Sequence, residues 1–356
     1  MPLFWIGLLL TLLPALAAAL WLVGLYGYLC RKYLHFIVRI FQEKPLFVVP
    51  RGQPIEGAED VRFPTRDGRS LAGCYLHARC ERRGVVLFGL EFGSNRWACV
   101  PYCEALLENG YDVFAFESRG QGDSDPQPGY EPLQWVTDFE VEDARAALEY
   151  LKGRPDADPR GVGFFGISKG AGAGLFAAAR DPAVRCCVTD GAFATYTTLV
   201  PYMRQWFRIY NETPSLHGLL PSWYYGAVGL TALRRIERQR RCRYPHLEPE
   251  LPRLAGRPLL MIHGGGDTYI TPRMAEALYE RAAGPKELWL VEGAKHNGAL
   301  ALAGAAYERR VLEFFDRHLG QVQEQAAAPP RRPGEGLPPP HARPREESAS
   351  RVNAER

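Results

Sequence analysis

One decapeptide constrains this chain more than any other stretch. Gly161-Val162-Gly163-Phe164-Phe165-Gly166-Ile167-Ser168-Lys169-Gly170 reads as a buried strand, Val162 to Phe165, running into Gly166-x-Ser168-x-Gly170 and then a helix from Lys169 onward. A serine on so tight a strand-to-helix turn takes strained backbone angles. Side chains two positions to either side would collide with the strand and the helix, and glycine at both places removes the collision. The turn exposes the hydroxyl and aims the first helix amides at it, the geometry of a nucleophile elbow. Glycine and serine are common, so the pentapeptide alone says little. Its weight comes from its place between an apolar strand and the small-residue helix Ala171-Gly172-Ala173-Gly174.

A serine is a poor nucleophile until a base takes its proton, and the base needs an orienting partner. The later chain supplies both. Pro258 to Ile262 forms a short apolar run ending in His263-Gly264-Gly265-Gly266-Asp267. Thr271-Pro272 then starts a helix, with Thr271 able to cap it and Pro272 suited to its first turn. Asp267 therefore sits on a loop after a strand. Glu287 to Val291 reads as another strand, ending in Glu292-Gly293-Ala294-Lys295-His296-Asn297, so His296 also follows a strand. In an open parallel sheet the loops at the carboxyl ends of the strands share one edge, where Ser168, Asp267 and His296 can converge.

These motifs resemble those of the α/β-hydrolases. The Gly-Ile-Ser-Lys-Gly turn, the Ile-His-Gly-Gly-Gly-Asp loop, the Val-Glu-Gly-Ala-Lys-His-Asn loop and the run from Phe114 to Ser124 all match that pattern. The likeness covers roughly residues 56–320 and is nearest to the membrane-associated Bem46-like group of serine esterases and thioesterases. It implies Ser168 as nucleophile, His296 as general base and Asp267 as orienting acid. His263 is the rival base, in a slot that is normally structural. Asp190, after the strand-like Val188-Thr189, is the rival acid, and Asp123 reads as closing a turn.

The oxyanion hole departs from the family pattern. One donor is expected from the backbone N–H of Lys169 and the other from the loop after Gly84-Val85-Val86-Leu87-Phe88-Gly89. Where the family usually continues His-Gly-x, this chain has Leu90-Glu91-Phe92. The Phe92 N–H can still donate, and each such donor is worth roughly 3 kcal/mol in the transition state. A carboxylate at Glu91 would oppose a developing negative charge, unless Arg96 or Arg119 neutralises it or it points away.

The amino terminus carries the second strong pattern. Pro2 through Cys30 holds no charged residue, and about 20 apolar residues span a bilayer. Ala15-Leu16-Ala17 offers a cleavage site, but no basic residue precedes the run and it is too long for a signal peptide. A retained, single-pass transmembrane anchor is expected. Arg31, Lys32 and Arg39 follow it, which places the catalytic domain on the cytoplasmic side.

The remaining chain arranges itself around this core. Val61-Arg62-Phe63 and Leu71 to Leu76 read as an antiparallel pair, and Trp135 to Leu151 has helical apolar spacing. Strand and helix patterns alternate to Phe315, which implies an α/β fold with a mostly parallel central sheet covered by helices on both faces. Between Phe193 and Leu251 the alternation breaks. This insertion is rich in aromatics (Tyr202, Trp206, Phe207, Tyr210, Trp223, Tyr224, Tyr225) and then in arginines from Arg234 to Arg243. One reading is a helical cap with an acyl pocket and headgroup contacts; the other is aromatics that merely pack on the core. The expected organisation is an anchor over 3–30, a juxtamembrane segment over 31–55, an α/β-hydrolase domain over 56–320 with its cap insertion at about 194–251, and a disordered Pro-rich tail over 321–356.

Eight cysteines show no metal-type spacing and read as mostly free, which suits a reducing side. The formal glycosylation triplet Asn211-Glu212-Thr213 argues mildly the other way. A net charge of +3 is too small to imply nucleic acid. No cofactor or metal is expected. The expected partners are the bilayer and a small-molecule or lipid-like acyl substrate. The expected function is hydrolysis of carboxylic esters or thioesters through an acyl-enzyme. The alternatives are a catalytically silent, membrane-tethered binding protein and a serine peptidase.

Overall fold

The structure, a computed structural model, describes residues 2–44, 49–210 and 220–320. The Pro-rich tail and the Asn211 triplet lie outside the described residues. Eight strands form one sheet: β1 (Glu59–Pro64), β2 (Ser70–Leu76), β3 (Gly84–Gly89), β4 (Tyr111–Phe116), β5 (Val162–Ile167), β6 (Val184–Asp190), β7 (Leu259–Gly264) and β8 (Lys286–Val291), in the order β1-β2-β4-β3-β5-β6-β7-β8. β2 is antiparallel to β1 and β4, and the other neighbours are parallel.

β3, β4, β5 and β7 are buried at every position. That is why they read as nearly continuous apolar runs, with Asp112 and His263 as buried exceptions: helices cover both faces of a parallel sheet. The helices among the described residues are α1 (Pro2–Gln42), α2 (Val100–Glu108), α3 (Asp138–Gly153), α4 (Ser168–Arg180), α5 (Thr195–Tyr210), α6 (Ser222–Arg240), α7 (Pro272–Arg281), α8 (Ala299–Ala303) and α9 (Ala305–Phe315). Ala-rich α3 and α4 pack on the face carrying Phe114 and Phe164, while α2 and α9 cover the face carrying Phe88 and Phe165.

One helix start differs from expectation, and another falls where expected but is set differently. Trp135 and Val136 precede α3 rather than opening it, because Thr137 and Glu140 form a capping box that fixes the start at Asp138. Thr271 occupies the N-cap of α7 without a side-chain capping bond, so Pro272 at the first turn is the feature that sets this start.

α1 runs unbroken through the boundary expected at residue 30. Leu10 to Gln42 is long and apolar enough to cross a membrane, and Leu10, Leu20, Trp21 and Val23 are exposed on it. Its last turns are different. Leu29, Ile37, Val38 and Phe41 are buried in one cluster with the insertion helices α5 and α6. The Tyr26 hydroxyl meets Thr231 Oγ1 at 2.5 Å, and Gln42 Nε2 donates to Gln239 Oε1 at 3.2 Å. All eight cysteines are unbridged.

Candidate active site

Ser168 opens α4 with φ 51°, a left-handed conformation that a residue with a side chain rarely adopts. The neighbouring glycines make this turn feasible. A Cβ on Gly166 would stand 2.7 Å from the Ala171 Cα, and one on Gly170 would stand 2.3 Å from the Gly89 carbonyl carbon. Gly89 reciprocates, since its own Cβ would meet the Gly170 oxygen at 2.7 Å. The elbow is thereby pressed against the loop that follows β3, the loop carrying Glu91 and Phe92. The Lys169 ammonium lies 5.6 Å from the centre of the Phe92 ring.

The carboxyl ends of β5, β7 and β8 bring the three expected residues together. Ser168 Oγ is 2.9 Å from His296 Nε2, and His296 Nδ1 is 2.7 Å from Asp267 Oδ2. The other Asp267 oxygen accepts from the backbone N–H of Tyr269 (2.8 Å) and of Ile270 (2.9 Å), which fixes the carboxylate plane. The Tyr269 ring meets the His296 ring edge-on at 5.4 Å. Asp267 and Ser168 are both buried. An imidazole held this way at Nδ1 presents Nε2 to the hydroxyl and can take its proton.

The rivals are placed elsewhere. His263 Nε2 donates to the Ile270 carbonyl at 2.7 Å, and burial lowers its pKa, so its ring is a neutral brace for the Asp267 loop. Its 3.5 Å approach to Asp267 is therefore no ion pair. Asp190 ends β6 and accepts from the Tyr307 hydroxyl at 3.0 Å, not from His296. Burial pushes its carboxyl up to about 7. Asp123 donates its N–H to Glu117 and pairs with Arg96, consistent with a turn.

Neither arginine neutralises Glu91. Arg96 is held by Glu117, Asp123 and Asp60, and Arg119 by Asp143 and Asp67. Glu91 instead accepts a 2.6 Å hydrogen bond from Asn297 Nδ2. Asn297 follows His296 and takes φ 55°, a conformation asparagine tolerates better than most residues. Burial raises the Glu91 pKa, against the pull of Asn297 and His296. The carboxyl is thus a strut between the loop after β3 and the histidine loop.

Sequence reading also missed a second buried polar contact. Lys169 Nζ donates to the Leu133 carbonyl at 2.6 Å and pairs with Glu140 Oε1 at 2.9 Å. Burial lowers the Lys169 pKa against the attraction of Glu140. Burial works to raise Glu140, but Lys169, Tyr130 and Thr137 outweigh it and hold the carboxyl below its usual range. Glu140 closes the capping box with Thr137 and also anchors the elbow, a use that sequence reading did not find. No group of three or more His, Cys, Asp or Glu side chains is arranged to hold a metal among the described residues.

Comparison with known proteins places this geometry in a family. A family model for the alpha/beta hydrolase fold matches residues 75–222. The uncharacterized protein Rv2307c of Mycobacterium tuberculosis is 30% identical over 285 residues, 77% of this chain and 87% of its own. The alpha/beta hydrolase domain-containing protein WAV2 of Arabidopsis thaliana is 23% identical over 306 residues, 80% of this chain and 91% of its own. Among solved structures, the esterase Pf2001 of Pyrococcus furiosus shares the fold with a TM-score of 0.57 at 21% identity, over 78% of this chain and all of that one. With its eight-stranded sheet, its serine at a left-handed elbow and these relatives, the chain belongs to the alpha/beta hydrolase family.

Proposed function

We propose that this protein is a membrane-anchored serine hydrolase that cleaves carboxylic ester or thioester bonds through an acyl-enzyme, in the manner of the Bem46-like group. The observation that carries this reading is the hydrogen-bonded line Ser168–His296–Asp267 at the elbow. Ser168 Oγ attacks the carbonyl carbon while His296 Nε2 takes its proton. Asp267 accepts from Nδ1–H and stabilises the imidazolium. The oxyanion sits on the backbone N–H groups of Lys169 and Phe92. His296 then returns the proton to the departing alcohol or thiol. Water attacks the acyl-enzyme with His296 again as base, releasing the acid and restoring the Ser168 hydroxyl.

α1 supplies the anchor in this reading, and Arg31, Lys32 and Arg39 put the catalytic domain on the cytoplasmic face. Support for an ester or thioester over a peptide comes from the aromatic wall of Tyr269, Tyr202 and Trp206 that leads away from His296. Glu91 bound to Asn297 removes the main objection to activity, a carboxylate facing the oxyanion.

Labelling with a fluorophosphonate probe tests this reading. Wild type is expected to label, Ser168→Ala is not, and the labelled peptide should contain Ser168. Folded wild type that stays unlabelled would favour a silent, membrane-tethered binding protein.

A further inference from the structure

Beyond Cys30, α1 stops being a plain apolar rod. From Leu29 to Ile40 one stripe of it, including Ile37, forms a wall of an elongated groove whose opposite wall includes Trp206 of α5 and Tyr225 and Val228 of α6. At 1.5 Å per residue, Leu29 to Ile40 extends about 16 Å. About 560 Å³ of non-protein space lies in the groove and its open mouth together, and the lining is almost entirely apolar.

We propose that this groove receives one alkyl chain of a fatty-acyl ester resident in the bilayer, so that the substrate reaches Ser168 from the membrane rather than from water. The proposal deepens the serine-hydrolase reading and rests on it. Three observations favour an alkyl chain. First, the groove begins at Leu29, where the uncharged stretch of α1 ends; a chain sliding along α1 passes from bilayer to groove without crossing water. Second, no charged side chain lines it, while exposed Arg31, Lys32 and Arg39 of α1, Arg204 and Arg208 of α5, and Arg234, Arg235 and Arg238 of α6 stand on the same helices. Cations in such positions suit a headgroup layer and an apolar slot suits what hangs from it.

Third, the groove wall leads to the triad. Trp206 is 6.1 Å from the Tyr202 ring, and Tyr202 is 6.2 Å from the Tyr269 ring. The Tyr202 hydroxyl donates to the Tyr269 carbonyl at 2.6 Å, and Tyr269 meets His296. Three successive ring contacts thus join the groove to the imidazole. The proposal lays a long chain, its carbonyl at Ser168, along this wall and into the groove; a butyryl chain stops short of it.

Two measurements on the full-length chain in phospholipid vesicles test the proposal. In Ser168→Ala, a palmitate analogue with a terminal diazirine is photocrosslinked and the modified peptides are identified by mass spectrometry. Crosslinks are expected on residues 29–40 and 222–240, and at least ten-fold fewer when Val228→Trp or Ile37→Trp fills the groove from either wall. In proteins with Ser168 intact, kcat/KM is measured for vesicle-borne 4-nitrophenyl palmitate and for 4-nitrophenyl butyrate. The palmitate-to-butyrate ratio is expected to fall at least ten-fold in both filled variants. Crosslinks confined to residues 5–25, or a ratio unmoved in both variants, would overturn the proposal. Equal turnover of a soluble acyl-cysteine peptide with and without vesicles would overturn entry from the bilayer. Crosslinking reads the groove without catalysis and fluorophosphonate labelling reads Ser168 without the groove, so the two readings fail separately.

Discussion

At the carboxyl edge of the sheet, position is set by backbone. Gly89 and Gly170 touch main chain to main chain, Asp267 is pinned by two amides, and Glu91 reaches across to Asn297 through a single short hydrogen bond. At the wall between α1 and the insertion, position is set by rings. Phe41 stacks on Trp135 at 4.9 Å and meets Trp206 edge-on at 5.5 Å, and Trp135 in turn meets Tyr202 at 5.9 Å. Hydrogen bonds have narrow optima in distance and angle, whereas apolar packing is non-directional and accepts repacking when volume is kept. The first region is built to hold atoms still for chemistry. The second can change shape with what it contacts.

Substitutions should expose that contrast. The largest effect is expected from Asp267→Asn, which leaves the loop bonded but presents the wrong group to His296 Nδ1. Turnover of a 4-nitrophenyl ester should fall about 10⁴-fold; a loss under ten-fold would mean that another carboxylate, Asp190 foremost, orients the imidazole. Glu140→Ala should come next. It strands the Lys169 ammonium inside the protein and should cost about 3–5 kcal/mol in urea unfolding, with Glu140→Gln milder. Gly170→Ala drives a methyl into Gly89 and should cost about 1–3 kcal/mol by the same measurement, with slower acylation of Ser168 by the probe.

The ring wall should yield less. Phe41→Leu keeps most of the buried area and loses the aromatic contacts, so about 1 kcal/mol is expected in thermal unfolding. A loss as large as that of Glu140→Ala would show the wall to be as exacting as the sheet edge. The smallest effect concerns Asp190. Burial raises its folded-state pKa to about 7 from the ordinary 3.8, so the native state holds a proton that the unfolded chain releases. This contribution is full below the unfolded value and is lost as pH rises through about 7. Asp190→Asn should therefore show a shallower decline in urea midpoint between pH 5 and 8 than wild type; equal slopes would mean that Asp190 is ionised throughout.

The same contrast explains what could be read in advance. The elbow was legible because a left-handed serine demands small neighbours, and that demand is written within five residues. Asp267 and His296 were legible because each follows an apolar strand, and the topology gathers strand ends on one edge. The bond from Asn297 to Glu91 was not, since 206 residues separate them and neither carries a mark of its partner. The pairing of Lys169 with Glu140 was hidden for another reason: Glu140 read only as one polar position in a helical run, and nothing in that run marks it as buried beside the elbow. The docking of α1 on α6 was also invisible. Its apolar residues fitted a bilayer equally well, and hydropathy does not distinguish lipid from protein as the covering.

The unbroken course of α1 has a mechanical consequence. At 1.5 Å per residue its 41 residues extend about 62 Å, roughly twice a hydrocarbon core of about 30 Å. In a bilayer, an apolar stretch longer than the hydrocarbon core is thick leans over, and the uncharged run Pro2 to Cys30, about 43 Å long, leans further in a thinner one. A helix whose far turns pack against the insertion, well beyond its internal Pro14, passes that lean to what it carries. With α1 as the proposed anchor, membrane thickness would act as an aiming control, setting the angle at which the catalytic face addresses the lipid surface.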